Sequence, residues 1–112
     1  MSEIEEITQA LIRFRDERNW EQFHNSKDLS LAISIEAAEL NELFLWKNSE
    51  ETEEVDRDRI GEELADVFAF GFLLAEKHGF NVKEMVLEKI RKNSEKYTIE
   101  KARDSARKYN EL

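Results

Sequence analysis

A chain of 112 residues with no proline and only three glycines has little material for tight turns. A β-sandwich or barrel needs many such turns, so the sequence is confined to a few long helices, an all-α fold. Hydrophobic residues make up 40% of the chain and charged residues 38%. The apolar residues are clustered, which describes an ordered domain over residues 1–112 rather than a disordered tail. A chain of this length buries about two-thirds of its unfolded surface, enough for one core. The absence of cysteine removes disulfides, zinc–thiolate sites and thiol nucleophiles together, and agrees with a reducing compartment. No uninterrupted apolar run approaches the roughly 18 residues that span a bilayer, and the opening MSEIEEITQ is acidic where a secretory leader is basic and then apolar. The expectation is a cytoplasmic protein.

The 26 acidic side chains against 17 basic ones give a net charge of −9. The excess is uneven. Residues 1–66 carry seven basic and nineteen acidic side chains, whereas residues 67–112 carry ten and seven. An excess of this sign disfavours duplex nucleic acid and anionic lipid, whose binding draws on Lys and Arg neutralising phosphates. A small anionic ligand is compatible with it if a cation bridges the ligand to the acidic half.

Apolar spacing predicts four helices. The first runs from about Ile4 to Arg18 through Ile7, Leu11, Ile12 and Phe14. A connector follows, carrying Trp20, Phe23 and His24, and Ser26 or Asp28 caps the second helix, Leu29 to Trp46, which is apolar on several sides. KNSEETEEVDRD reads as a solvated, mobile loop. The third helix extends from Arg57 to His78, closed by Gly79, and Gly71 in its middle marks a close helix–helix approach. Asn81 caps the fourth, which runs to about Tyr97 with Met85, Val86 and Ile90 on its inner face. The last fifteen residues form a short helix or an arm. The expected architecture is a four-helix bundle whose second and third helices also form an oligomer core.

Those two helices carry the informative residues. Glu36 and Glu39 lie within ISIEAAELNELF, and Glu63 and Asp66 within IGEELADVFAF. Each pair is spaced i, i+3, which puts both carboxylates on one helix face about 5–6 Å apart at Cβ. No Lys or Arg occurs between Leu29 and Trp46, or between Arg59 and Lys77. An isolated ExxE is ordinarily a solvated stripe, and Glu42 and Glu62 keep that reading. Two such motifs inside apolar runs instead repel each other unless cations neutralise them. Oxygen ligands without Cys or paired His suit a hard ion, Mg²⁺ or Mn²⁺. A di-iron bundle needs two Glu-x-x-His motifs, and only Glu21 to His24 is present, in the predicted connector.

With RDERNWEQFH, EAAELNELFLWK, EELADV, KIRKNSEKY and ARDSARKYNEL in order, the sequence resembles the MazG-like, all-α nucleoside triphosphate pyrophosphohydrolases, and among them the small dCTP pyrophosphatase branch, over nearly its whole length. The resemblance implies Mg²⁺-dependent hydrolysis of a nucleoside triphosphate to monophosphate and pyrophosphate. It also implies that Glu36, Glu39, Glu63 and Asp66 are the catalytic, metal-holding carboxylates and that the protein is a homo-oligomer, dimer or tetramer. By the same resemblance Trp20, Trp46 and Phe70 line the base pocket, His24 sits near the base or phosphates, and Lys89, Asn93, Lys96, Arg103 and Lys108 belong to the series from which phosphate contacts come. Two positions depart from the branch: Leu11 stands where a His faces the nucleotide, and Phe70 where a Tyr does. Both changes remove hydrogen-bonding groups, which implies broader dNTP specificity. The alternative from a different class is a non-catalytic helical module for oligomerisation or partner binding.

Overall fold

The computed structural model describes residues 1–112 and is helical throughout, with no strand. Four long helices form: α1 (Glu3–Glu17), α2 (Ser26–Glu42), α4 (Arg57–Lys77) and α5 (Val82–Lys96). One-turn helices α3 (Ser49–Thr52) and α6 (Ile99–Ala102) and two 3₁₀ turns, Glu21–Phe23 and Tyr109–Glu111, complete the chain. No helix is long and apolar enough to cross a membrane.

Each long helix starts at a side chain that satisfies its free amides. Ser2 caps α1 in a reciprocal box with Glu5. Asn25 and Asn81 accept from the amides of Asp28 and Glu84 at 2.8 and 3.0 Å. The cap of α2 is therefore Asn25, and the helix begins three residues before the position its apolar spacing indicates. It also ends at Glu42, short of Trp46. The amides of Leu43, Phe44, Leu45 and Lys47 turn to carbonyls three residues back, and Trp46 adopts φ +65°. The acidic segment expected as a mobile loop holds the single turn α3, capped by Asn48.

The chain divides into two compact units, Met1–Phe80 and Asn81–Leu112. In the first, α2 packs against α4 and α1 against α4. The pair is antiparallel: the Ser26 hydroxyl meets His78 Nε2 at 2.9 Å, joining the start of α2 to the end of α4. Leu29, Leu43, Leu73 and Ala75 form the buried core, with Leu29 only 2% exposed. Burying a leucine side chain contributes about 1.5–3 kcal/mol. Both α1 and α4 close with the same motif. Trp20 N–H reaches Arg15 O and Asn19 N–H reaches Asp16 O, while Phe80 N–H reaches Ala75 O and Gly79 N–H reaches Glu76 O. Asn19 and Gly79 supply the left-handed residue, at φ 54° and 69°.

Three expectations about packing fail. A Cβ at Gly71 would meet nothing within 4 Å, so this glycine marks no close approach. The apolar runs of α2 and α4 are not buried all round: Leu31, Ile35, Leu64 and Phe68 stay exposed, because only α1 and the partner helix cover them. In the second unit, Met85, Val86 and Ile90 of α5 are also exposed rather than internal. There the Tyr97 and Tyr109 rings meet edge to face at 6.0 Å, and Lys96 Nζ lies 4.9 Å over the Tyr109 ring.

Candidate active site

Because α2 and α4 run antiparallel, one turn of each brings its carboxylates together. Glu36, Glu39 and Glu63 each offer an oxygen, and the three oxygens lie within 4.8 Å of one another. Asp66 is outside that trio, although its charge acts on both Glu36 and Glu63. The four differ in exposure: Glu36 and Glu63 are half-buried, Glu39 and Asp66 exposed. One oxygen of Glu36 and one of Glu63, both Oε2, are shut away from solvent with no hydrogen-bond partner. An orphaned buried acceptor is costly unless something positive reaches it.

The electrostatics agree. Burial pushes the Glu36 carboxyl up from 4.5 to about 7, helped by hydrogen bonding to Glu39 and by the charges of Glu39, Asp66 and Glu63. Glu63 is raised too, first by burial and then by Glu39. Crowded carboxylates with orphaned oxygens and no ion-paired cation fit a hard divalent ion.

A pH dependence follows for divalent-free buffer. The folded chain holds a proton on Glu36 that the unfolded chain gives up near pH 4.5, so between about pH 4.5 and 7 the folded state is the more protonated and its stability falls as pH rises. His24, lowered by burial and by Arg15, contributes with the opposite sign, so the decisive comparison is with Glu36→Gln. Melting curves from pH 5 to 8 are expected to decline with pH more steeply for wild type than for the variant. Parallel curves would show that Glu36 is not held protonated.

Beside the trio opens a recess of about 340 Å³ lined by Glu39, Glu42, Leu43, Lys47, Arg59 and Glu63. Sequence reading missed Lys47 and Arg59 and kept Glu42 as surface. Their nearness to the motifs is local, since Arg59 lies one turn before Glu63 and Lys47 directly follows the apolar run Leu29–Trp46, but their meeting in one recess is not.

The remaining candidates lie elsewhere. Trp46 is 93% exposed in its left-handed turn, whereas Trp20 packs edge to face on Phe14 at 5.8 Å. Phe70 is half-buried on α4, one turn after Asp66. His24 lines a second recess, of about 190 Å³, with Arg15, Glu21, Leu29, Leu73, Glu76 and Lys77. At 1.5 Å per residue, Leu29 and Leu73 lie about 10–15 Å along the helices from Glu36 and Glu63, so His24 is not brought to the carboxylates. Its Nδ1 is buried without a partner. Arg15, with a side chain 12% exposed, spans that recess from Asp16 at 2.8 Å to Glu21 at 3.6 Å and Glu76 at 3.8 Å. Lys89, Asn93, Lys96, Arg103 and Lys108 all belong to the second unit. There the first three recur at i, i+4, i+7 along α5, sharing one face.

An antiparallel helix pair presenting a carboxylate wall defines an all-α protein with an acidic, cation-demanding site. Residues 31–112 match the MazG-like family. Over 97% of its length the chain is 38% identical to dCTP pyrophosphatase 1 of Homo sapiens and 35% identical to that of Rattus norvegicus, spanning 67% of each. The crystal structure of a pyrophosphatase from Archaeoglobus fulgidus superposes with a TM-score of 0.83 at 38% identity, over 88% of this chain and 94% of that one. The chain belongs to the MazG-like family.

Proposed function

We propose that this protein hydrolyses deoxynucleoside triphosphates such as dCTP or dATP to monophosphate and pyrophosphate, with Mg²⁺, in cleansing the cytoplasmic nucleotide pool. It is an enzyme of the nucleoside triphosphate pyrophosphohydrolase type. The observation that carries the finer reading is the trio Glu36, Glu39 and Glu63 with its orphaned oxygens. These residues, with Asp66, would hold Mg²⁺ or Mn²⁺. When bound, the ion offsets the phosphate charge and lowers the pKa of water.

In the reaction a water oxygen bonds to the α-phosphorus. The bond from that phosphorus to the α,β-bridging oxygen breaks, its electron pair leaves on pyrophosphate, and the proton lost by water passes to a carboxylate of the group. Trp46, held out in solvent, offers a face for the base, and stacking of this kind contributes about 1–3 kcal/mol per base. Trp20 and Phe70 complete the apolar surround, His24 stands further out, and Lys89, Asn93, Lys96, Arg103 and Lys108 are the candidates for phosphate contacts within a single domain over residues 1–112. The exposed Leu31, Ile35, Leu64 and Phe68 support a homo-oligomer, dimer or tetramer.

Pyrophosphate release from dCTP, dATP, dTTP, dGTP and the ribonucleotides, with Mg²⁺ or with EDTA, tests this reading. Divalent-dependent turnover is expected. Leu11 and Phe70 offer no hydrogen bond, so dCTP and at least one other dNTP should agree in kcat/KM within about tenfold to a hundredfold, the range that apolar pockets discriminate. No divalent-dependent release from any of them would overturn the proposal and favour the silent-module alternative.

A further inference from the structure

We propose that Lys47 and Arg59 grip the β,γ-diphosphate of the substrate and the pyrophosphate it becomes, an inference that rests on the hydrolytic reading above. Both line the recess that opens beside Glu39 and Glu63. Residues 1–66 contain seven cations among nineteen acids, yet neither Lys47 nor Arg59 forms an ion pair or a side-chain hydrogen bond. Arg15 and Lys27 are ion-paired and Arg18 bonds Phe14 O, while Arg13 and Arg57, likewise unpaired, do not line the recess. Two unpaired cations in a recess that also holds three carboxylates are placed for something more anionic than those carboxylates, and closely spaced phosphate oxygens meet that description.

The two cations arrive from different elements. Arg59 lies on α4 one turn before Glu63, so it shares that residue's face. Lys47 follows the left-handed Trp46, with its amide on Phe44 O at 3.2 Å, in the turn that ends the α2 segment. An anion between them touches both walls of the recess. When the α-phosphorus to bridging-oxygen bond breaks, the electron pair and its charge move onto the pyrophosphate, so cations here stabilise the charge that develops. A recess lined by Glu39, Glu42 and Glu63 alone would repel that product.

The test is calorimetry of inorganic pyrophosphate with Mg²⁺ on the full chain, for wild type, Lys47→Gln, Arg59→Gln, the double variant and Arg59→Lys. Each neutralising change is expected to weaken pyrophosphate binding by about tenfold and the double change by about a hundredfold. Arg59→Lys should restore most of it, and deoxynucleoside monophosphate affinity should stay within twofold throughout. In turnover, KM for the triphosphate should rise with pyrophosphate inhibition weakened in parallel. Both side chains are exposed, so the melting temperature should not move. Wild-type affinity for pyrophosphate in the variants, or no pyrophosphate binding by wild type at 1 mM, would overturn the inference. If wild type binds pyrophosphate, the variants lose it and no triphosphate is hydrolysed, the diphosphate grip stands and the hydrolytic reading fails.

Discussion

Glu39→Gln and Glu63→Gln should each lower triphosphate hydrolysis by about 10²–10⁴-fold while leaving the chain folded, the range expected when a positioned acid–base group is removed. Each residue contributes one of three oxygens that converge within 4.8 Å, and an amide keeps the size while discarding the charge that draws a cation. Stability should move the other way. With no cation present, Glu39 raises Glu36 and Glu63 by its charge and by hydrogen bonding, so neutralising it relieves repulsion and raises the melting temperature in EDTA. The stabilisation that Mg²⁺ gives wild type should shrink in the same variants. Steady-state kinetics paired with melting curves in Mg²⁺ and in EDTA read both effects. Full activity in either variant would remove that residue from the site. An identical wild-type melting curve in the two buffers would mean that the trio holds no ion.

A charge placed on the exposed face of α4 should disperse the proposed homo-oligomer. Phe68 is 54% exposed and lies one turn from Leu64, and its ring stacks on Phe72 at 6.0 Å; on α2, Ile35 is 57% exposed and one turn from Leu31. Left in water, such faces attract a copy of themselves, and a glutamate at the centre of the contact would be buried without a partner. Light scattering behind size exclusion should give wild type a mass of two or four times 13.3 kDa. Phe68→Glu and Ile35→Glu should shift it to the single-chain mass, with hydrolysis falling alongside if the assembled form is the active one. A wild-type mass of 13.3 kDa at micromolar concentration would mean that these faces meet no second copy.

Much of this was legible from spacing. The helices α1, α4 and α5 lie within a residue or two of where apolar periodicity and capping residues put them, since apolar spacing marks α1 and Asn81 and Gly79 leave local signals. That Glu36, Glu39 and Glu63 lie close together was legible too, because acids at i, i+3 inside apolar runs have few structural uses, whereas Asp66 stays outside the trio. The end of α2 was not. Leu43, Phe44, Leu45 and Trp46 continue an apolar pattern while the backbone has already left the helix, and composition does not report a change in hydrogen bonding from four residues back to three. Lys47 and Arg59 were missed for a related reason: they come within one recess only through antiparallel packing, which no local window contains. His24 was assigned by its place in a motif, yet tertiary packing sets it in the recess around Arg15.

The turn that ends the α2 segment also gives the molecule a built-in optical reporter. The chain has two tryptophans. Trp20 is held against Phe14 and the Arg18 guanidinium, whereas Trp46 stands almost entirely in water. The red-shifted, collisionally quenchable part of the indole emission therefore belongs mainly to the tryptophan that precedes Lys47, Trp20 being 43% exposed against 93%, and on the proposed reading a nucleotide stacked there should change it without a label.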